Sequence, residues 1–167
     1  VDVTGAGGPF CDILMSEWSP KILLVSFGGK ASETKTSVYS NKTGEDQYLN
    51  RVSELWFVGK ELMRCRQIYG IERSMAKNIA QRGYDQRKTG NNLRIIIEPK
   101  GTYKTRIGHS PDEEDSVFLM IDCARQRCGL MAMEPPPKIN EDGQLRRPVK
   151  SMKILKAARH NENTELI

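Results

Sequence analysis

Several common functional signatures are missing from this chain. It has no C-x-x-C pair, no G-x-G-x-x-G loop and no G-K-[ST] triplet, so neither a zinc ribbon nor a P-loop or dinucleotide fold is expected. No apolar run approaches the roughly 20 residues that cross a bilayer, and residues 1–20 lack the charged-then-apolar layout of a secretory signal. These absences set the expectation of a cytosolic protein with no membrane partner. Aromatics are sparse, at 7%, and there are two histidines. The four cysteines, Cys11, Cys65, Cys123 and Cys128, read as reduced thiols, and the spacing of Cys123 and Cys128 matches no common zinc motif.

What is present suits a globular domain: 167 residues, 38% hydrophobic and 28% charged, with a net charge of +5. The basic balance permits a polyanionic partner without requiring one. "VDVT" alternates like a short strand, and "GAGGP" follows as a tight turn. Phe10, Ile13, Leu14 and Trp18 then recur at helical spacing, and "KILLVSF" (21–27) has the continuous apolar character of a strand covered on both faces. Strand, turn, helix and strand in that order make a parallel crossover unit. Residues 28–44 read as a loop. A long helix is expected from Glu45 to about Tyr69, with Gly59 weakening its middle, and a short one over 74–84 with Gly83 as its stop. "DQRKTGNN" reads as a polar turn before a strand from Leu93 to Glu98, and Lys100, Lys104 and Arg106 lie in an expected basic loop. From Glu134 onward the composition turns polar and basic behind "EPPP", which suggests a flexible or docking tail.

The most legible chemistry lies in "RIGHSPDEEDSVFLMIDC" (106–123). Ser110 has the character of an N-cap, Pro111 that of a first helical residue, and Glu113 completes a Ser-x-x-Glu capping box. Asp112 then falls in the first turn, where the helix dipole favours a carboxylate, with Asp115 three residues on and His109 just outside. Acids that merely complement the dipole would account for this pattern. A metal site is the sharper alternative, because the apolar stretch at 116–121 pins the helix mouth to a core and preorganises it.

"VDVTGAGGPFCDIL", "LLVSFGGKA", "YLNRVSELW" and "IIIEPKGTYKTRIGHSPDEEDSVFLMI" occur in that order and spacing. Together they resemble the C-terminal nuclease domain of phage large terminase subunits, over Val1 to about Cys123. The resemblance implies an α/β, ribonuclease H-like fold, a mixed or parallel sheet flanked by helices, over residues 1–133, followed by a flexible basic tail over 134–167. It implies a divalent-metal-dependent endonuclease that cuts double-stranded DNA during phage genome packaging, in the cytoplasm of the infected bacterial host. Asp2 and Asp112 match metal ligands, with His109 or Asp115 as accessory ligand, and Mg²⁺ or Mn²⁺ as the ion. By the same analogy Lys100, Lys104 and Arg106 face the phosphate backbone. Asp12 and Asp122 read as structural, and Glu54 with Arg51 as an ion pair at a buried edge.

The sequence departs from that family in two ways. The family's nuclease fold opens with strands that carry a further essential aspartate, and nothing before Val1 supplies them; the ATPase motor is likewise missing. The expectation is therefore an N-terminally incomplete fold with an exposed sheet edge, completed by an upstream terminase segment, an ATPase chain or self-association. The alternative is a non-catalytic DNA-binding or assembly module docking on a packaging motor, portal or nuclease partner. Its docking element would be the tail basics Arg146, Arg147, Lys150, Lys153, Lys156 and Arg159.

Overall fold

Asn50 starts the helix on which the rest of the molecule converges. Its side chain accepts a hydrogen bond from the Ser53 amide at 3.1 Å and caps α3 (Arg51–Arg64). In the computed structural model, which describes residues 1–4, 7–19 and 21–133, this helix packs against α6 (Asp112–Cys128) and strand β2 (Asn92–Ile97). The remaining elements are α1 (Gly7–Glu17), α2 (Gly44–Gln47), α4 (Arg73–Gln81), β1 (Tyr84–Thr89) and α5 (Lys100–Ile107). The expected tail, 134–167, lies outside the described residues.

The single helix expected over 45–69 is two. Thr43 and Asp46 form a capping box that opens α2, and Tyr48 then turns extended, where it bridges Ile95 in parallel. Residues 48–50 thus break the helix so that the chain can join β2, and α3 begins only at Arg51. It ends at Arg64, before Arg66 takes a positive φ of 57°.

β1 and β2 form an antiparallel hairpin, the two-stranded sheet of the described residues. Parallel pairing appears as isolated bridges, Asp2 with Val25, Tyr48 with Ile95 and Ser37 with Ala132. The fold is therefore mixed α/β, and the crossover read from residues 1–27 survives as one bridge around α1.

The core gathers Leu55, Trp56, Val58 and Leu62 from α3, Phe118 and Ile121 from α6, Ile97 from β2, and Val25 and Tyr48. Trp56 stacks on Phe118 with ring centroids 4.5 Å apart. Two apolar readings need correction. Residues 21–27 are covered on one face only, since Val25 is buried while Leu24 is exposed. In α1 and just after it most of the expected apolar face does not pack: Phe10, Ile13 and Trp18 are 56%, 59% and 78% exposed, Leu14 is half-buried, and Cys11 is the buried residue.

Charges are buried together. Arg51 donates to Glu54 at 2.6 Å and to Asp122 at 2.7 Å, while Arg125 lies 3.3 Å from Asp122 and 3.5 Å from Glu54. Ser32 donates its amide and its hydroxyl to Glu54, both at 2.6 Å, so the 30–34 loop is tied to α3. Burial pushes the Glu54 carboxyl up, but the Ser32 hydrogen bonds and the Arg51 guanidinium more than offset it, and the group lies below its ordinary value. The Arg51–Glu54 pair and the structural role of Asp122 are as the sequence suggested. Cys11 and Cys65 are buried, Cys123 is half-buried and Cys128 exposed.

Candidate functional site

The acids at the mouth of α6 divide by helical geometry. Glu114 and Asp115 turn inward, on the face that continues through Phe118, Ile121 and Asp122, whereas Asp112 and Glu113 point to solvent. The apolar stretch that follows is one-sided too, since Met120 is exposed. The expected capping box does not form. Pro111 occupies the N-cap position, and no side chain caps the helix.

Asp115 is held firmly. Its Oδ1 accepts from the Trp56 indole at 2.8 Å and from Arg82 at 2.9 Å, and its side chain is 5% exposed. The second oxygen, Oδ2, is buried without a hydrogen-bond partner. Lys100 Nζ stands 3.3 Å from that oxygen, near enough for charge attraction but outside hydrogen-bond geometry, and 2.5 Å from Asp112 Oδ1. The Lys100 ammonium therefore sits between the two carboxylates. Its hydrogen bond, ahead of smaller effects, holds the Asp112 carboxyl below the usual range, although Asp112 is 69% exposed. Burial lowers the Lys100 pKa, but the two acids outweigh it and the net direction is up.

Asp2 approaches from the bridge with Val25. Its Oδ1 accepts from the Thr4 amide at 3.0 Å and the Thr4 hydroxyl at 2.6 Å, which fixes the carboxylate beside the Val25 bridge. Asp2, Asn50, Arg82, Glu98, Lys100 and Asp115 line one cavity of about 430 Å³. The structure thus brings Asp2 and Asp115 to a common space, with Asp112 joined to it through Lys100.

Other expected residues are placed differently. His109 is exposed, its Nδ1 3.3 Å from the Ser110 carbonyl and its ring edge-on to Tyr103, and it does not line the cavity. The basic loop is the helix α5, anchored by buried Tyr103 and closed by Gly108 in the left-handed region. Arg106 is already engaged: it donates to both Glu98 oxygens, at 3.0 and 2.6 Å, and to the Gln81 carbonyl at 2.7 Å. It clasps α5 to the strand end rather than facing outward. Lys104 is exposed and joins no ion pair among the described residues.

Trp56, Arg82 and Glu98 belong to this site and were not singled out from the sequence. No local spacing connects Trp56 or Arg82 to Asp115; the pairing arises from the packing of α3 and α4 on α6. Among the described residues, no group of three or more His, Cys, Asp or Glu side chains is gathered to hold a metal, and no helix is long and apolar enough to cross a membrane. No family model, curated protein or solved structure matches this chain.

Proposed function

We propose that this chain supplies part of a ribonuclease H-like, divalent-metal-dependent endonuclease that cuts double-stranded DNA during phage genome packaging, in the cytoplasm of the infected host. The observation that carries this reading is the cavity shared by Asp2 and Asp115, with the buried Asp115 Oδ2 left without a hydrogen bond. Lys100, 3.3 Å away, offsets the charge of that oxygen without giving it a hydrogen bond, and a buried acceptor left so is one that a bound ion can complete.

The donor chemistry fits a hard ion. Carboxylate oxygens select Mg²⁺ or Mn²⁺ over softer metals, and Trp56 and Arg82 orient Asp115 by bonding its other oxygen, Oδ1, as partners of metal ligands commonly do. Asp2 and Asp115 would hold the ion, with Asp112 adjoining it through Lys100 and the remaining positions left to water, phosphate or another chain. Such an ion would activate water and neutralise charge on the phosphodiester. Lys100 marks a place where positive charge is favourable between Asp112 and Asp115, and its ammonium is suited to a phosphate once the acids are otherwise satisfied. Partners on this reading are double-stranded DNA and an ATPase or portal protein.

Cleavage of supercoiled plasmid in Mn²⁺, with EDTA and Asp112→Ala as controls, tests the reading. Asp112 is exposed, so its substitution leaves the fold intact, whereas removing Asp115 would strand Arg82 and Trp56 and confuse the result. Nicking or linearisation that both controls abolish is the expected outcome. Cutting that survives Asp112→Ala overturns the site.

A second reading is favoured because no three such acids are gathered among the described residues, and because a lysine stands between Asp112 and Asp115. Here the chain is a non-catalytic DNA-binding or assembly module. It predicts no cutting, with DNA binding unaffected by Asp112→Ala.

A further inference from the structure

The register of the hairpin sets Arg87 directly opposite Arg94. Like charges so placed repel and weaken a two-stranded ribbon. Arg51, Arg82, Arg106 and Arg125 are each committed to a carboxylate, but neither Arg87 nor Arg94 joins an ion pair among the described residues. Arg94 Nε is buried with no hydrogen-bond partner. The acid nearest in register, Asp85, lies opposite Ile96 and is turned to its neighbour, where Oδ1 accepts from the Gln86 amide at 2.7 Å.

Edge protection does not account for the pair. Charges on β1, which is exposed along its whole length, would discourage pairing with a stray strand. Arg94, however, belongs to β2, whose far side is already occupied: Ile95 bridges Tyr48, and its carbonyl accepts from the Leu49 amide at 2.9 Å. Arg87, exposed on β1, and Arg94, half-buried on β2 with the charge of Asp46 within reach, instead share one face of the ribbon and together suit an anion with oxygens to spare.

The position of Arg87 says which anion. Arg87 and Ile96 line a cavity of about 340 Å³ that also includes Glu98 and Pro99. Ile96, Ile97, Glu98 and Pro99 in turn line the cavity of Asp2 and Asp115. The arginine side of the ribbon therefore runs into the candidate metal site. A two-stranded ribbon fits the major groove of a duplex, and arginine grips phosphate bidentately.

We propose that the β1–β2 hairpin is a phosphate-gripping ribbon for double-helical DNA, in which Arg87 and Arg94 hold the backbone of the duplex that leads into the cavity. This rests on the nucleic-acid part of the proposed function and not on its metal. Phosphate contacts carry no base information, so binding is indifferent to sequence.

The test is the salt dependence of binding of a fluorescein-labelled duplex of mixed sequence to the full chain, by anisotropy, in EDTA. Each lost phosphate contact lowers the slope of log K against log salt by about 0.9. R87Q and R94Q should each lower it by about that amount, and the double variant by about twice as much. K88Q is the control: Lys88 lies on the opposite face of the same ribbon, across from Leu93, and its loss should move the slope less than half as far as R87Q. Arg87 is exposed, so R87Q reports on binding even if R94Q perturbs the hairpin. An unchanged slope in R87Q, an equal fall in K88Q, or no duplex binding by the native chain overturns the proposal. Plasmid cutting that depends on Asp112 would stand apart from any of these results. Conversely, arginine-dependent binding without cutting would retain the ribbon and remove the nuclease.

Discussion

Gly59 shows how a residue can look like a defect in sequence and prove necessary in space. In an isolated helix, replacing it by alanine should gain about 1 kcal/mol. Here a Cβ at Gly59 would overlap Cε1 and Cδ1 of Phe118. That ring is 1% exposed and stacked on Trp56, so it has nowhere to retreat. Overpacking of this kind costs about 1–3 kcal/mol, which exceeds the helical gain. Gly59→Ala should therefore lower the urea midpoint, and Phe118→Leu should cost less in that background than in the native one. A midpoint raised by Gly59→Ala would show that α3 and α6 are not in close contact. The sequence told only of helix propensity at Gly59, because its partner lies far along the chain. Asp115 is a parallel case. Its place in the first turn of α6 was legible, but not that it turns inward to Trp56 and Arg82.

Among the elements, those defined by local periodicity were legible and those defined by distant partners were not. β2 and the body of α6 were read correctly from their apolar patterns. β1 carries no alternation because it is exposed on every residue, and it exists as a strand through its pairing with β2. α5 was missed because Gly101 and two threonines weaken its helical signal, while buried Tyr103 and the Arg106–Glu98 clasp hold it from outside. Helix starts misled in the same way. Ser110 has the form of a cap but makes no capping bond, whereas Asn50 does cap. Asn50 also receives the Ser53 hydroxyl, whose oxygen accepts the Ile97 amide at 2.9 Å and so links α3 to β2. Asn50→Ala should then cost about 1–2 kcal/mol, and Ser110→Ala should stay within about 0.5 kcal/mol. Equilibrium unfolding of the two variants decides it, and equal losses would restore the capping role of Ser110.

At the scale of the whole molecule, stability depends on a set of charges that the core has enclosed. Arg51, Glu54, Asp122 and Arg125 join α3 to α6, and Ser32 adds the 30–34 loop. Removing one member of a buried set leaves the others uncompensated, at a cost of about 3–5 kcal/mol. Arg51→Met should show that loss near neutral pH. The pH dependence follows from the Glu54 carboxyl, which lies below its ordinary value of 4.5 in the folded state. A carboxyl lowered on folding contributes stability that is complete above its unfolded pKa and is lost as pH falls through the folded one. Glu98, chiefly through its hydrogen bond from Arg106, and Asp112, through Lys100, shift in the same direction. Urea unfolding should therefore give a midpoint that is level above about pH 4.5 and falls below it. In Arg51→Met the buried Glu54 has lost its main cation, so it takes up a proton more readily and relieves the uncompensated charge. The gap between native and variant should accordingly narrow as the pH drops below 4.5. A gap that stays constant across that range would mean that Arg51 acts through packing of its stem, and that Glu54 is neutral in the folded protein.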